Sequence, residues 1–444
     1  MRYVAATLFV LIAALPYIAI LRTARDRKEP VNGQAEILSI ISPHRREEKL
    51  EYARGFKEWV ERRYGRNVEI QWLDVGGTSK ILKDLESRFE TSPGAPGVDL
   101  LFGGGVAPYL TASERGWLDR VELPSEIMDA IPRTCAGSNV YDSDHRWFGV
   151  ALTGFGIIYN KPILQKLGLK SPQNWDDLGR SEYFSWIASG DPRSSGVVHI
   201  SYEIILQAYG FEKGWNLIAR ICANVRRFGE SSATAPREVA SGEVAAGMVA
   251  DMTARSEIDA VGGDSLAFVL PSGTTIIGPD SVAAVRGGDK PELSRLFIEY
   301  VLSPEGQRIL FQPVGVNGQQ HALHRMPVLE ASYCESGALD VNPYRLPQGL
   351  HYDDAKGSRR YNVLNDLMGV WLIDGQSELK LAWKNIIEKG CPADLVRQLC
   401  APPVSESELT TLAEEWKDPR RKQEIMRKWG DEARGRYLRL SSEM

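Results

Sequence analysis

Apolar positions along the chain switch between a period of two and a period near 3.6, and each switch marks a boundary between a strand and a helix. Ile37 to Ile41 is a β-rich run ending in Ser42, Pro43 and His44, and Tyr52, Phe56, Trp59 and Val60 follow at helical spacing. Val68 to Leu73 predicts a second strand, closing in Val75, Gly76, Gly77, Thr78 and Ser79 ahead of a helix with Ile81, Leu82, Leu85 and Phe89. A third strand, Val98 to Phe102, runs straight into Gly103, Gly104 and Gly105. Strands alternating with helices predict a parallel sheet, and the loops that leave its strand ends are where such sheets bind ligands.

Trp147 to Asn160, WFGVALTGFGIIYN, holds two β-rich halves, Phe148 to Leu152 and Phe155 to Tyr159, separated by Thr153 and Gly154. The spacing predicts one extended segment that bends as it passes between two lobes. Lys161 to Gly168 is expected to be a short helix. Ala188 to Trp215 reads as a strand, a turn on Gly190, Asp191 and Pro192, and a helix opening at Ser194, Ser195 and Gly196. Val244 to Val249 is a buried strand, and Asp251 is the first polar residue after it. Gly278, Pro279 and Asp280 mark a return to the first lobe, followed by a packing helix with Leu293, Leu296, Phe297, Tyr300 and Val301. Beyond Cys391 a mixed-charge run with Trp416, Arg420, Arg421, Lys422 and Arg427 predicts a solvated helical extension.

The length of 444 residues exceeds one compact core and calls for two or more lobes. A net charge of -5 gives no global reason to bind nucleic acid. The five cysteines show neither a CxxC pair nor metal-ligand spacing, and free, buried thiols are expected. Near the start, Tyr3 to Leu21 is almost wholly apolar and is followed by Arg22, Arg25, Arg27 and Lys28. The run approaches the ~20 residues of a membrane span. Residues 1–33 are therefore expected to be either a removed signal peptide or a retained membrane anchor with a charged tether, and the rest of the chain to be exported.

A helix start leaves backbone N–H groups without partners and carries partial positive charge, so two hydroxyls and a glycine at Ser194, Ser195 and Gly196 make an anion seat. Similar small and hydroxyl residues recur at Ser42, Gly77, Thr78, Ser79, Gly104, Thr153, Ser231 and Ser232, together with His44. Such donors suit a phosphate, phosphonate or carboxylate. Asp251 either caps the next helix or accepts from a solute hydroxyl or amine. The glycine run at 103–105 is either a turn needing positive φ or part of the same mouth; it is no dinucleotide fingerprint. His199 either faces the anion or lies along its helix, and His321 with His324 could share a helix face as an HxxH pair. No triad, HExxH or nucleophile elbow occurs, so no catalytic residue, cofactor or metal site is expected.

The succession TGFGIIYNKPILQKLGL, NWDDL, DPRSSG, ILQAYGFEKGW, GEVAAGMVAD and FIEYVLSPEGQ, in order between Thr153 and Gln307, resembles the periplasmic substrate-binding proteins of bacterial ABC importers, and most closely their type 2, ferric-iron-binding-like branch. The resemblance implies an α/β fold of two lobes, each a mainly parallel sheet flanked by helices, closing on a solute, with a helical C-terminal extension. The divisions expected are 34–153 for the first part of lobe 1, 154–275 for lobe 2, 276–390 for the return and C-terminal helices, and 391–444 for the extension. By the same resemblance, Asn362 to Trp383 packs back onto lobe 1. The ferric binders hold iron through two consecutive tyrosines, a His and a Glu. Here Met252 and Thr253 stand near the tyrosine positions and only His44 matches, a poor donor set for Fe(III). The expected function is capture of a small anionic solute, a phosphorylated or phosphonate compound favoured, and its delivery to an ABC permease. The alternatives are a ferric binder or a membrane-anchored solute sensor.

Overall fold

The computed structural model describes residues 35–335, 341–346 and 349–442. The predicted signal peptide or anchor lies outside them, and among the described residues no helix is long and apolar enough to cross a membrane.

Strands β1 (Glu36–Ile41), β2 (Val68–Leu73) and β3 (Leu100–Phe102) are parallel, as the alternation predicts, with β1 in the middle. β4 (Phe148–Asn160) is one unbroken thirteen-residue strand. Beyond it come β5 (Ile187–Gly190), β6 (Val225–Gly229), β7 (Ala246–Ala250), β8 (Leu266–Val269), β9 (Ile277–Ala284) and β10 (Met326–Pro327). The order is β2-β1-β3-β9-β4-β7-β5-β6, with β8 and β10 also paired to β4.

The register of β4 divides the molecule. Phe148 to Gly154 pairs with β9 in lobe 1, whereas Phe155 to Tyr159 pairs with β7 in lobe 2. Thr153 and Gly154 are the crossing point; the strand runs through them unbroken, and only its pairing partner changes. β9 runs antiparallel to both β3 and β4, so Thr153 leaves lobe 1 at the same edge as the C-terminal ends of β1, β2 and β3. β7 is antiparallel to β4 with Ala250 opposite Phe155, and β5 and β6 run parallel to β7. Both lobes thus aim their strand ends at one crossing, which is the topological position where open α/β sheets bind ligands.

Each lobe has its own core. In lobe 1, Phe56, Trp59, Phe102, Phe148, Phe297 and Tyr300 pack together, with Phe56 and Phe102 each edge-on to Phe297. The lobe 2 core gathers Trp175, Trp215, Ile218 and Ile221.

The C-terminal helices correct the expectation for Asn362 to Trp383. Val363, Leu364, Leu367, Trp371, Leu379 and Trp383, on the helices Asp354–Met368 and Gln376–Glu388 and the π-helical turn Gly369–Ile373 between them, are buried in the core of lobe 2. Their apolar stripe meets that of the helix Phe211–Asn224, and Trp383 Nε1 donates to Asn224 Oδ1 at 2.8 Å. The extension joins the same core through Leu409, Ile425, Trp429, Tyr437 and Leu440. Its charged residues do face solvent, but one stripe of the helix Pro419–Ser442 is buried throughout. All five cysteines are free; Cys135, Cys222 and Cys400 are buried, Cys391 is half-buried and Cys334 is exposed.

Candidate functional site

The predicted binding residues lie on loops after strand ends that converge on the crossing. Ser42 and His44 follow β1, Gly77 follows β2, Gly104 follows β3, Ser194 and Ser195 follow β5, Ser232 follows β6 and Asp251 follows β7. Thr78 and Ser79 open the helix Thr78–Thr91, but their side chains lie outside the described set.

The lobe 1 loops are joined by a carboxylate that sequence reasoning passed over as a mere boundary marker. Asp280 of β9 accepts from His44 Nε2 at 3.0 Å through Oδ2 and from the Gly104 N–H through Oδ1. His44 Nδ1 also lies 3.0 Å from Ser42 Oγ, so both ring nitrogens are used within the protein. Gly103 has φ 100°, and a Cβ there would stand 2.7 Å from the His44 ring; glycine is required for the imidazole to reach Asp280.

Arg325, in the segment leading into β10, closes this group from the other side. It is 2 % exposed, with Nη2 2.5 Å from Asp280 Oδ2 and 3.1 Å from Thr153 Oγ1, and Nη1 3.5 Å from Glu48 Oε1. Its Nε has no hydrogen-bond partner among the described residues. Burial pushes the Asp280 carboxyl up, but Arg325 and His44 more than offset this and hold it well below the usual carboxylate range.

On the lobe 2 side, Asp251 is fully buried at the first position of the helix Asp251–Val261. It does not cap that helix with its side chain; Oδ1 accepts from the Gly154 N–H at 3.0 Å. Oδ2 stands 3.6 Å from Arg255 Nε, an ion-pair separation rather than a hydrogen bond. Burial raises its pKa, opposed by Arg255, the Gly154 N–H and Arg325.

The helix Gly196–Tyr209 begins as expected, with Ser195 at the cap accepting from Val198 N at 3.4 Å. Ser194 is exposed, and its hydroxyl lies 2.8 Å from Glu230 O and 3.0 Å from Asp191 O, drawing the loops after β5 and β6 together. Arg193 turns away from this helix start. It pairs with Asp191 and, through both terminal nitrogens, with Asp374. His199 does not face the seat: it is buried, bonds Asn365 Oδ1 through Nδ1 at 2.6 Å and packs against Tyr361. Tyr361 stands near Gly196, a neighbour that no local motif could reveal.

The HxxH pair is not on a helix. His321 bonds Glu51 and His324 faces Asp259, so the two imidazoles serve different partners. Among the described residues no group of three or more His, Cys, Asp or Glu is placed to hold a metal ion. A lone charge inside an otherwise apolar stretch, as Asp280 stands ahead of SVAAV and Arg325 ahead of MPV, was the signal available for the two missed residues.

Comparison with known proteins accords with this arrangement. Residues 108–317 match the family described as bacterial extracellular solute-binding protein. The phosphoglycerate transport regulatory protein PgtC of Salmonella typhimurium is 29% identical over 228 residues, which are 51% of this chain and 54% of that protein. The chain thus spans about half the length of that curated relative. Among solved structures, the periplasmic binding protein AfuA from Actinobacillus pleuropneumoniae, with fructose-6-phosphate bound, superposes with a TM-score of 0.60 at 22% identity, covering 80% of this chain and 99% of that one. The apo ferric ion-binding protein A of Pasteurella haemolytica gives 0.58 at 14%, covering 75% and 97%. These matches give the chain the two-lobed type 2 periplasmic-binding-protein fold, with its middle part, residues 108–317, similar to the bacterial extracellular solute-binding proteins.

Proposed function

We propose that this protein captures a small phosphorylated organic anion between its lobes and presents the occupied form to a membrane partner. The observation that carries the proposal is the convergence of both lobes' strand ends on Thr153 and Gly154, with Ser42, Ser194, Ser195 and the start of the helix Gly196–Tyr209 on the loops that leave those strand ends. Helix starts and small residues of this kind favour a compact anion. Two relatives support the class of solute: one is named for phosphoglycerate transport, and the other holds fructose-6-phosphate.

For the partner, the sequence favours an importer permease. The curated relative is named as a transport regulatory protein, which supports the sensor alternative. On that reading the occupied lobes report to a membrane signalling protein rather than hand over cargo. Iron capture has the support of several ferric-binding neighbours, all at identities that speak for the fold.

Thermal unfolding of the chain against 3-phosphoglycerate, fructose 6-phosphate, phosphonates and Fe(III) tests the solute. A ligand at ~100 times its Kd adds about 2.7 kcal/mol of stability, a readily measured shift. A shift with the phosphorylated compounds is expected; a shift with Fe(III) alone would replace this function with metal capture. Reconstitution with an importer's permease then separates the two partners, since a sensor leaves solute uptake unchanged.

A further inference from the structure

The polar groups around the crossing form one continuous line. It begins at the lobe 1 loops, where His44 and Gly104 both donate to Asp280. Asp280 meets Arg325, and the same Nη2 of Arg325 also reaches Thr153 Oγ1. The next residue, Gly154, donates its N–H to Asp251 of lobe 2. Thr153 and Gly154 are consecutive in β4, at the point where the strand passes from one lobe to the other. Arg325 therefore grips the lobe 1 side of the crossing and Asp251 the lobe 2 side. Both are buried, and among the described residues Arg325 Nε and Asp251 Oδ2 each lack a hydrogen-bond partner, Oδ2 standing at ion-pair distance, 3.6 Å, from Arg255 Nε.

A buried group that lacks a partner is costly to keep in one arrangement and gains from another that supplies the partner. We infer that Arg325 is a positioning residue that couples the lobe 1 loops to the crossing at Thr153 and Gly154, so that a solute engaging His44 and Gly104 shifts the lobes toward closure. The coupling rests on the proposed solute capture for its trigger, while the link from Arg325 to the crossing stands without it. A solute that draws on His44 or the Gly104 N–H competes with Asp280 for those donors. The carboxylate then leans further on Arg325, which changes its hold on Thr153.

Hydrogen exchange of the full chain tests this, with fructose 6-phosphate and 3-phosphoglycerate as probes and with Arg325→Met, Arg325→Lys and Thr153→Val as variants. In the wild type, a bound probe should slow exchange in both lobes and at residues 152–156. Without any probe, Arg325→Met and Thr153→Val should exchange about 10-fold faster at 152–156 than the wild type, as loss of local hold on a segment predicts. With a probe, Arg325→Met should protect the loops of one lobe but not the crossing, and Arg325→Lys should restore part of the joint protection. Thr153→Val keeps the Arg325 charge and its Asp280 partner, so it reports on the coupling even if Arg325→Met fails to fold. Wild-type exchange at the crossing in Thr153→Val, with joint protection intact, would overturn the proposal. If no probe alters the wild type, the solute class is wrong, and the probe-free comparison at 152–156 still decides the link to the crossing.

Discussion

Arg325 and Asp280 form a buried ion pair, 2.5 Å between Nη2 and Oδ2, at the strand crossing that joins the two lobes. Asp280 comes from a strand that returns to lobe 1 and Arg325 from a segment forty-five residues later, and neither lies in any local motif. Together they draw in His44, Glu48, Gly104 and Thr153. Removing one member of a buried pair leaves the other uncompensated, at a cost of about 3–5 kcal/mol. Arg325→Met and Asp280→Asn should each lose stability on that scale. The double variant should lose less than their sum, by about 0.5–3 kcal/mol, in a urea-unfolding cycle.

The two acids at the crossing carry opposite pH signatures. Asp280 titrates well below an unfolded Asp, so the stability it contributes is present above the unfolded value of ~3.9 and is lost as pH falls through its folded value. Asp251 titrates above the unfolded value, so its contribution is present below that value and is lost as pH rises through the raised one. Asp280→Asn should flatten the acid limb of a stability profile. Asp251→Asn, which keeps an acceptor for the Gly154 N–H, should gain on the wild type from about pH 4 upward. Urea midpoints from pH 3 to 8 check both signs.

Ser195 and Ser194 separate capping from binding. Ser195 caps its helix, so Ser195→Ala should cost roughly 0.5–2 kcal/mol of stability as well as affinity. Ser194 is exposed beside the same helix start and its hydroxyl bonds the Asp191 and Glu230 carbonyls, so Ser194→Ala should cost about 0.5–1.5 kcal/mol of stability without loosening the cap. If Ser194 meets the anion, the same change weakens binding of a phosphorylated probe by roughly three- to tenfold, the scale of one hydrogen bond. Calorimetry beside unfolding distinguishes the two roles.

The C-terminal extension is part of the lobe 2 core rather than an appendage. Trp429 is buried and stacks on Trp416, and the Tyr437 hydroxyl donates to Trp371 O at 2.9 Å. Trp429→Ala should cost about 3–5 kcal/mol. A chain ending at residue 390 should be insoluble or molten, which near-ultraviolet circular dichroism would report.

The strands, the helix starts and the place where one strand changes partners were legible because they rest on local signals. Ile37 to Ile41 followed by Ser42 announces a strand end, and Ser195 before Gly196 announces a cap, whatever lies elsewhere in the chain. Partners that meet only through the fold were not legible. His44 reads as a free donor until Asp280 is found against it, 236 residues away. Asn362 to Trp383 displays an apolar stripe, but a stripe does not name the lobe that covers it. Trp416, Trp429 and Tyr437 were hidden among arginines and lysines because a helix can bury one narrow stripe while the rest stays charged.

Capture of a phosphorylated organic anion is decided by calorimetric titration of the wild-type chain with 3-phosphoglycerate and fructose 6-phosphate, run beside Fe(III). Saturable one-to-one binding of at least one phosphorylated compound, weakened in Ser194→Ala, is expected, with no tight binding of Fe(III). Tight Fe(III) binding with no heat from either phosphorylated compound would contradict it.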